Sequence, residues 1–193
     1  MIEGAWRRFA CAMTLFVCAA SIGGARATPS VSDTPVKIGK PYTVRGATYR
    51  PADDPDYDEV GYASWYGEEL SGARTANGER FLPGGITAAH RTLPLPSYVE
   101  ITAIETGRTI LVRINDRGPF TGGKLIDLSR GAAEQLSVDG RSRAPVRVRR
   151  VTPSAEERAM LRAGRSVAER PETSGEVLAA LWDRLAETGI STQ

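Results

Sequence analysis

One acidic residue of this sequence, Asp116, stands where a predicted β-strand meets a rigid turn. The run ILVRINDRGPF, residues 110–120, alternates like a strand with two different faces until a Gly-Pro pair ends it. A carboxyl group at such a junction can give up or accept a proton in catalysis. Burial would raise the pKa of Asp116, whereas Arg113 and Arg117 would lower it, and the sequence leaves the outcome open. The alternative role of Asp116 is an Asx turn that fixes the loop.

Two further residues could act together with Asp116. Glu79, in the segment RTANGERF, could orient Asp116 or share a proton with it, and its alternative role is an exposed charge at a turn. His90, in the segment TAAHRTLP, is the only histidine and could hydrogen-bond to Asp116 or fix its own loop. Zinc needs three or four ligands, so a lone histidine predicts no metal site, and no cofactor is expected.

Short β-rich runs separated by turn residues must position these side chains. The runs cover residues 61–66, 97–104, 109–115 and 146–151. One helix interrupts them, capped by Asp127 or Ser129, and we interpret Asp127 as a cap and not as a catalytic residue. Many short strands at this spacing predict a mainly β fold, a small barrel, for residues 60–152.

The remaining segment, residues 153–193, has a helical pattern. Ser154-x-x-Glu157 and Thr173-x-x-Glu176 predict two capping boxes. An apolar stripe at helical spacing follows, formed by Val177, Leu178, Leu181 and Leu185. We expect this stripe to dock on the barrel or on a partner.

The first 27 residues have the pattern of an export signal peptide. Two arginines precede an apolar run that is too short for a comfortable membrane span, and Ala25-Arg26-Ala27 is a small-x-small cleavage site. Export is therefore predicted, with loss of both cysteines. The segment LFVC also loosely resembles a lipoprotein box, so membrane attachment is expected only if Cys18 is lipidated. Residues 28–59 form a predicted N-terminal extension and acidic linker.

The charge of the exported chain argues against a general nucleic-acid binder. Residues 1–27 contain three arginines and one glutamate, which leaves 22 basic and 22 acidic side chains in residues 28–193. A net charge of zero gives no electrostatic attraction to a polyphosphate. Within residues 60–152 basic side chains outnumber acidic ones by thirteen to nine, which suits a ligand with scattered carboxylates.

Four segments carry a family resemblance in their order along the chain: GYASWYG (61–67), RTANGERF (74–81), TAAHRTLP (87–94) and RINDRGPF (113–120), the last followed by LIDLSRGAAEQL. Over about residues 37–152 they resemble the rare lipoprotein A family. The resemblance implies a six-stranded double-psi β-barrel and an exported, septal-ring lytic transglycosylase that acts on peptidoglycan strands stripped of stem peptides. It places the family's catalytic Asp at Asp116, and its functionally important His and Glu at His90 and Glu79.

A glycan substrate suggests binding roles for several other residues. Trp65 and Tyr66 are natural platforms for sugar rings, although aromatic residues on a strand also serve as core. Arg91, Arg113 and Arg117 could bind the lactyl carboxylate of muramic acid, or form surface ion pairs. The signal and the resemblance together imply the periplasm or cell envelope as the location. If the C-terminal tail binds a partner, we expect a cell-division or envelope protein.

Three functions stay open at this point. In the first, the muramic acid 6-hydroxyl attacks its own C1, which leaves a 1,6-anhydro end, and Asp116 serves as acid and then as base. In the second, the chain is an expansin-like module that binds cell-wall glycan without cleaving it. In the third, the same barrel is a hydrolase that uses Glu79 as a second carboxylate.

Overall fold

The computed structural model describes residues 31–189, in which eight strands and three α-helices form around one barrel. A hairpin of β1 (Tyr42–Val44) and β2 (Ala47–Tyr49) precedes the barrel. The barrel strands are β3 (Asp58–Tyr66), β4 (Thr87–Ala89), β5 (Ser97–Ala103), β6 (Thr109–Asp116), β7 (Ile126–Ser129) and β8 (Ala144–Arg150). The helices are α1 (Arg130–Leu136), α2 (Ala155–Arg162) and α3 (Gly175–Glu187), with a short 3-10 turn at Glu68–Leu70.

The barrel closes in the order β3-β7-β4-β6-β5-β8. The pairs β3/β7 and β4/β6 are parallel, and the other neighbouring strands are antiparallel. Closure pairs every strand on both sides and removes free sheet edges. The predicted six-stranded double-psi β-barrel is confirmed.

Strand β6 is buried on both of its faces. The alternation of the sequence predicted two different faces, but every residue from Thr109 to Asn115 is buried. The reason is that its apolar side chains join the barrel core while α1 and α2 also contact the strand. Even Arg113 is only 1% exposed, and a buried cation requires partners that compensate for lost hydration.

Two barrel strands, β4 and β7, have no counterpart among the runs predicted from the sequence. They contain only three and four residues, too few for a period of two to stand out. Strand β7 also runs directly into α1, where the Ser129 hydroxyl accepts a hydrogen bond from the Ala132 amide at 3.2 Å. Ser129 is therefore the helix cap, and Asp127 is a strand residue.

Helix α1 approaches the loop before β4 closely enough to require glycine. The Gly131 amide donates to the Pro83 carbonyl at 2.8 Å, and a Cβ at position 131 would lie 2.4 Å from the Gly84 oxygen. Any side chain there would displace the loop. This contact fixes the segment that leads into β4.

The C-terminal tail docks on the barrel. Leu181 and Leu185 of α3 pack with Val60, Tyr62 and Ile104, which settles the open alternative for the apolar stripe. The capping box at Ser154 and Glu157 is confirmed. The second predicted box is wrong, since Ser174 precedes α3 and makes no side-chain capping bond.

The predicted signal peptide, residues 1–27 with Cys18, lies outside the described residues. Between residues 31 and 189 no helix has the length and apolar character needed to cross a membrane.

Candidate active site

Asp116, the last residue of β6, presents one satisfied and one open carboxylate oxygen. Its Oδ1 accepts hydrogen bonds from the Ala76 and Arg117 amides, both at 2.8 Å. Within residues 31–189, Oδ2 has no hydrogen-bond partner, and the side chain is partly exposed. Burial raises the pKa of Asp116, although the two amides and the charge of Arg117 act in the opposite direction. The sequence left the direction of the pKa shift of Asp116 open, and in the structure burial outweighs the opposing effects.

Asp127 lies in register with Asp116 across one intervening strand. Ala89 of β4 pairs with Asp116 on one side and with Asp127 on the other. Neighbouring strands lie about 4.8 Å apart, so the two Cα atoms are roughly 10 Å apart. Ser64 of β3 continues the row, and its hydroxyl donates to Asp127 Oδ1. The interpretation of Asp127 as a helix cap is wrong, because its strand pairing decides its position.

The aromatic residues of β3 have different environments. Trp65 is 38% exposed. The ring of Tyr66 packs against Phe81 at 4.7 Å between centroids, so it is not an open sugar platform. The Tyr66 hydroxyl oxygen is buried and has no partner in the described part of the chain. Burial raises the pKa of Tyr66, and the negative charges of Asp116 and Asp127 act in the same direction.

Glu79 is held by partners on β6 and makes no contact with the Asp116 carboxyl group. Arg113 donates two hydrogen bonds to its two oxygens, each at 2.7 Å, and Asn115 Nδ2 donates a third at 3.0 Å. Burial acts to raise the pKa of Glu79, but these hydrogen bonds outweigh it and the pKa is lowered. Glu79 is therefore neither an exposed turn charge nor a partner that shares a proton with Asp116. Its catalytic assignment stays a prediction.

Two of the three arginines predicted to bind a substrate carboxylate are already engaged. Arg113 also pairs with Asp33 and donates to the Ser32 carbonyl, so it cannot reach a substrate. Arg117 donates to the carbonyls of His90, Leu93 and Ile38. Burial lowers the pKa of Arg117. Arg91 has no ion pair among residues 31–189 and lies 6.0 Å from the Tyr49 ring centroid.

His90 holds its own loop. Its Nδ1 accepts hydrogen bonds from the Leu93 amide at 3.1 Å and the Thr92 amide at 3.3 Å. Its Nε2 must then carry the proton, which it donates to the Tyr57 hydroxyl at 2.9 Å. Burial, with the nearby charges of Arg91 and Arg117, lowers the pKa of His90 to about 3.

The predicted contact between His90 and the Asp116 carboxyl group is absent from the described structure, where only the His90 amide bonds to the Asp116 carbonyl, at 3.0 Å. The loop-fixing interpretation fits these contacts. No three His, Cys, Asp or Glu side chains of residues 31–189 are grouped closely enough to hold a metal ion.

Comparison with known proteins shows which proteins this chain resembles. Residues 58–148 match the family described as "Lytic transglycolase". The endolytic peptidoglycan transglycosylase RlpA of Yersinia pestis is 45% identical over 133 residues, which are 68% of this chain and 36% of that protein. The protein of the same name from Neisseria meningitidis serogroup B is 38% identical over 148 residues, which are 72% of this chain and 62% of that protein.

Among solved structures, the expansin of Clavibacter michiganensis is similar at 16% identity with a TM-score of 0.42, over 51% of this chain and 52% of that one. The chain spans between about one third and three fifths of the length of the two curated relatives.

Proposed function

The chain belongs to the rare lipoprotein A family, and from this premise we propose that it is an endolytic peptidoglycan lytic transglycosylase. Its reaction would cleave the bond between N-acetylmuramic acid and N-acetylglucosamine in strands that lack stem peptides. The products would carry 1,6-anhydro ends. The single observation that supports this chemistry best is that only one of the two oxygens of the Asp116 carboxyl group accepts hydrogen bonds from the described residues.

Asp116 is suited to protonate the departing glycosidic oxygen. Two main-chain amides occupy Oδ1, so the proton of the acid form resides on Oδ2, the oxygen without a partner. A raised pKa keeps a larger fraction of the group protonated at a given pH than in an ordinary aspartate. The bond from C1 to the leaving oxygen breaks as that oxygen takes the proton, and the 6-hydroxyl of the same sugar then bonds to C1.

Other side chains support this role from outside the reaction centre. Glu79 and His90 are proposed as positioning residues, since Glu79 fixes Arg113 and Asn115, and His90 fixes residues 90–93. Trp65 and Arg91 are the predicted substrate-binding residues whose side chains are still accessible, as sugar platform and carboxylate partner respectively.

We also propose that the chain acts in the cell envelope, as the export signal predicts. The docking of α3 leaves Val177 and Trp182 exposed at 41% and 40%, so a tail partner would contact these residues instead of the buried stripe. A septal location and attachment through Cys18 remain expectations.

A hydrolase is the second candidate, and the position of Asp127 favours it. Inverting glycosidases use two carboxylates far enough apart to hold a water molecule, about 6.5–9.5 Å. Asp116 and Asp127 lie on either side of Ala89 and could meet that spacing, whereas Glu79 cannot serve as the second carboxylate because Arg113 holds it.

Product chemistry separates the functions. Purified protein would be incubated with amidase-treated sacculi, and the soluble fragments would be analysed by mass spectrometry. We expect 1,6-anhydro ends. Reducing ends would instead identify a hydrolase, and binding without soluble fragments would identify a non-cleaving wall module.

A further inference from the structure

We propose that Asp127 is a second catalytic residue beside Asp116, the group that binds the attacking 6-hydroxyl and takes its proton. This inference rests on the proposed function and divides the acid and base roles between two side chains. The sequence pattern favours a helix cap at Asp127, whereas strand pairing places it next to Ala89, the neighbour of Asp116.

The first argument is the register of four neighbouring strand residues. Ser64, Asp127, Ala89 and Asp116 lie side by side on β3, β7, β4 and β6. The β4/β6 register shifts between Ala88 and Ala89, so the pairing of Ala89 with Asp116 follows an irregularity in the ladder. Ala89 is still the paired neighbour of both acids, with Asp116 on one side of it and Asp127 on the other.

The turn after β6 passes beside the same residues. A Cβ at Gly118 would lie 3.7 Å from Ala89 Cβ and 3.8 Å from Asp127 Oδ2. Asp127 therefore lies next to the turn that begins at Asp116, two residues before Gly118.

The second argument is that Asp127 is held but not neutralised. Ser64 donates to its Oδ1. Across residues 31–189 no arginine or lysine lies within ion-pair distance of Asp127, whereas Glu79, Asp58 and Glu100 all have arginine partners. One oxygen is thus oriented by a hydroxyl and the other is available to accept a hydrogen bond from substrate.

The third argument is the Tyr66 hydroxyl, a buried group on β3 two residues after Ser64, which has no hydrogen-bond partner within residues 31–189. Leaving a buried hydroxyl unpaired costs roughly 1–3 kcal/mol, so such a group indicates a missing partner. A sugar oxygen bound beside Asp127 would supply that partner.

The proposed step is balanced in protons and bonds. Asp116 gives its proton to the leaving oxygen as the bond to C1 breaks. The 6-oxygen bonds to C1 and loses its proton to Asp127. The enzyme then holds a charged Asp116 and a protonated Asp127, and exchange with water restores both.

The test compares Asp127→Asn with the wild-type chain on denuded glycan strands. General acid–base groups contribute about 100- to 10,000-fold, so we expect kcat to fall at least about 100-fold while the melting temperature is kept. Ser64→Ala should lower kcat less, because Asp127 stays present but loses its orienting hydrogen bond. Asp139→Asn, at an exposed position between α1 and β8, is the matched control, and its kcat should be unchanged.

The split between kcat and KM distinguishes catalysis from a structural role. Asp127→Asn should lower kcat while KM for denuded strands and the melting temperature stay close to those of the wild type, because the amide keeps the shape of the side chain but cannot take a proton. An unchanged kcat in that variant, or a fall in melting temperature that accounts for the lost rate, would overturn the inference alone. A wild-type chain that forms no anhydro ends would overturn the proposed function as well.

Discussion

Two carboxylates near the end of β6 are in opposite states. Arg113 and Asn115 hold Glu79 with three hydrogen bonds. Asp116 receives two amide hydrogen bonds on one oxygen and none on the other within the described residues. The pKa is lowered for Glu79 and raised for Asp116. Glu79 is therefore suited to a structural role as an anion, and Asp116 is suited to proton transfer.

The difference shows how partners decide the role of a buried acid. A carboxylate with a bidentate arginine is stable only as an anion, so it contributes structure and cannot readily deliver a proton. A carboxyl group that is desolvated but incompletely paired keeps its proton more easily and has an oxygen free for substrate. Asp127 resembles Asp116 in its pairing alone, since it has a hydroxyl partner and, among residues 31–189, no ion-pair partner.

The largest effect is expected from Asp116→Asn. The amide oxygen can still accept from Ala76 and Arg117, so the fold should persist, but no proton can be donated and product formation should fall at least about 1,000-fold. Because the raised pKa means that folding disfavours the charged form, the variant should be as stable as the wild type, or slightly more so, above pH 4. Anhydro product assays and thermal melts check both points. Full activity in this variant would remove Asp116 from the mechanism.

The ion pair that holds Glu79 is tested by Arg113→Met. This change leaves Glu79 and Asp33 without their buried partner, and breaking such a pair typically costs about 3–5 kcal/mol. Urea denaturation measures the free energy of unfolding. The control is Arg141→Met, which breaks an exposed pair with Glu105 and should cost less than about 1 kcal/mol. Equal effects of the two substitutions would contradict the view that Arg113 holds Glu79 in a buried ion pair.

A smaller effect is expected from the titration of His90. Its pKa is about 3 when folded against 6.5 ordinarily, so the unfolded chain binds the proton more readily between these values. Stability is therefore lost as the pH falls below about 6.5, by at most about 1.4 kcal/mol per pH unit. His90 is the only histidine, so His90→Gln should flatten the stability curve between pH 6.5 and 5. A slope identical to that of the wild type would show that His90 is not buried in its neutral form.

The barrel and the position of Asp116 could be predicted because their signals are local. Short β-rich runs in the sequence predict four of the six barrel strands, and a Gly-Pro turn predicts the end of β6. The family motifs supplied the topology that these runs alone do not give.

The partners of the site residues could not be predicted, because they come from distant parts of the chain. Asp33, which pairs with Arg113, is 80 residues away in the sequence. The place of Asp127 depends on the register of two very short strands on either side of Ala89. The sequence does not show these long-range pairs. For this reason it suggests a substrate-binding role for Arg113 and a helix cap for Asp127, and the structure supports neither.

The most direct test of the contrast is a titration of the two carboxyl groups by carbon NMR in the folded chain. We predict that Asp116 titrates above its ordinary value of 3.8 and Glu79 below its ordinary value of 4.5. An Asp116 that titrates below 3.8, or a Glu79 that titrates above 4.5, would contradict the account.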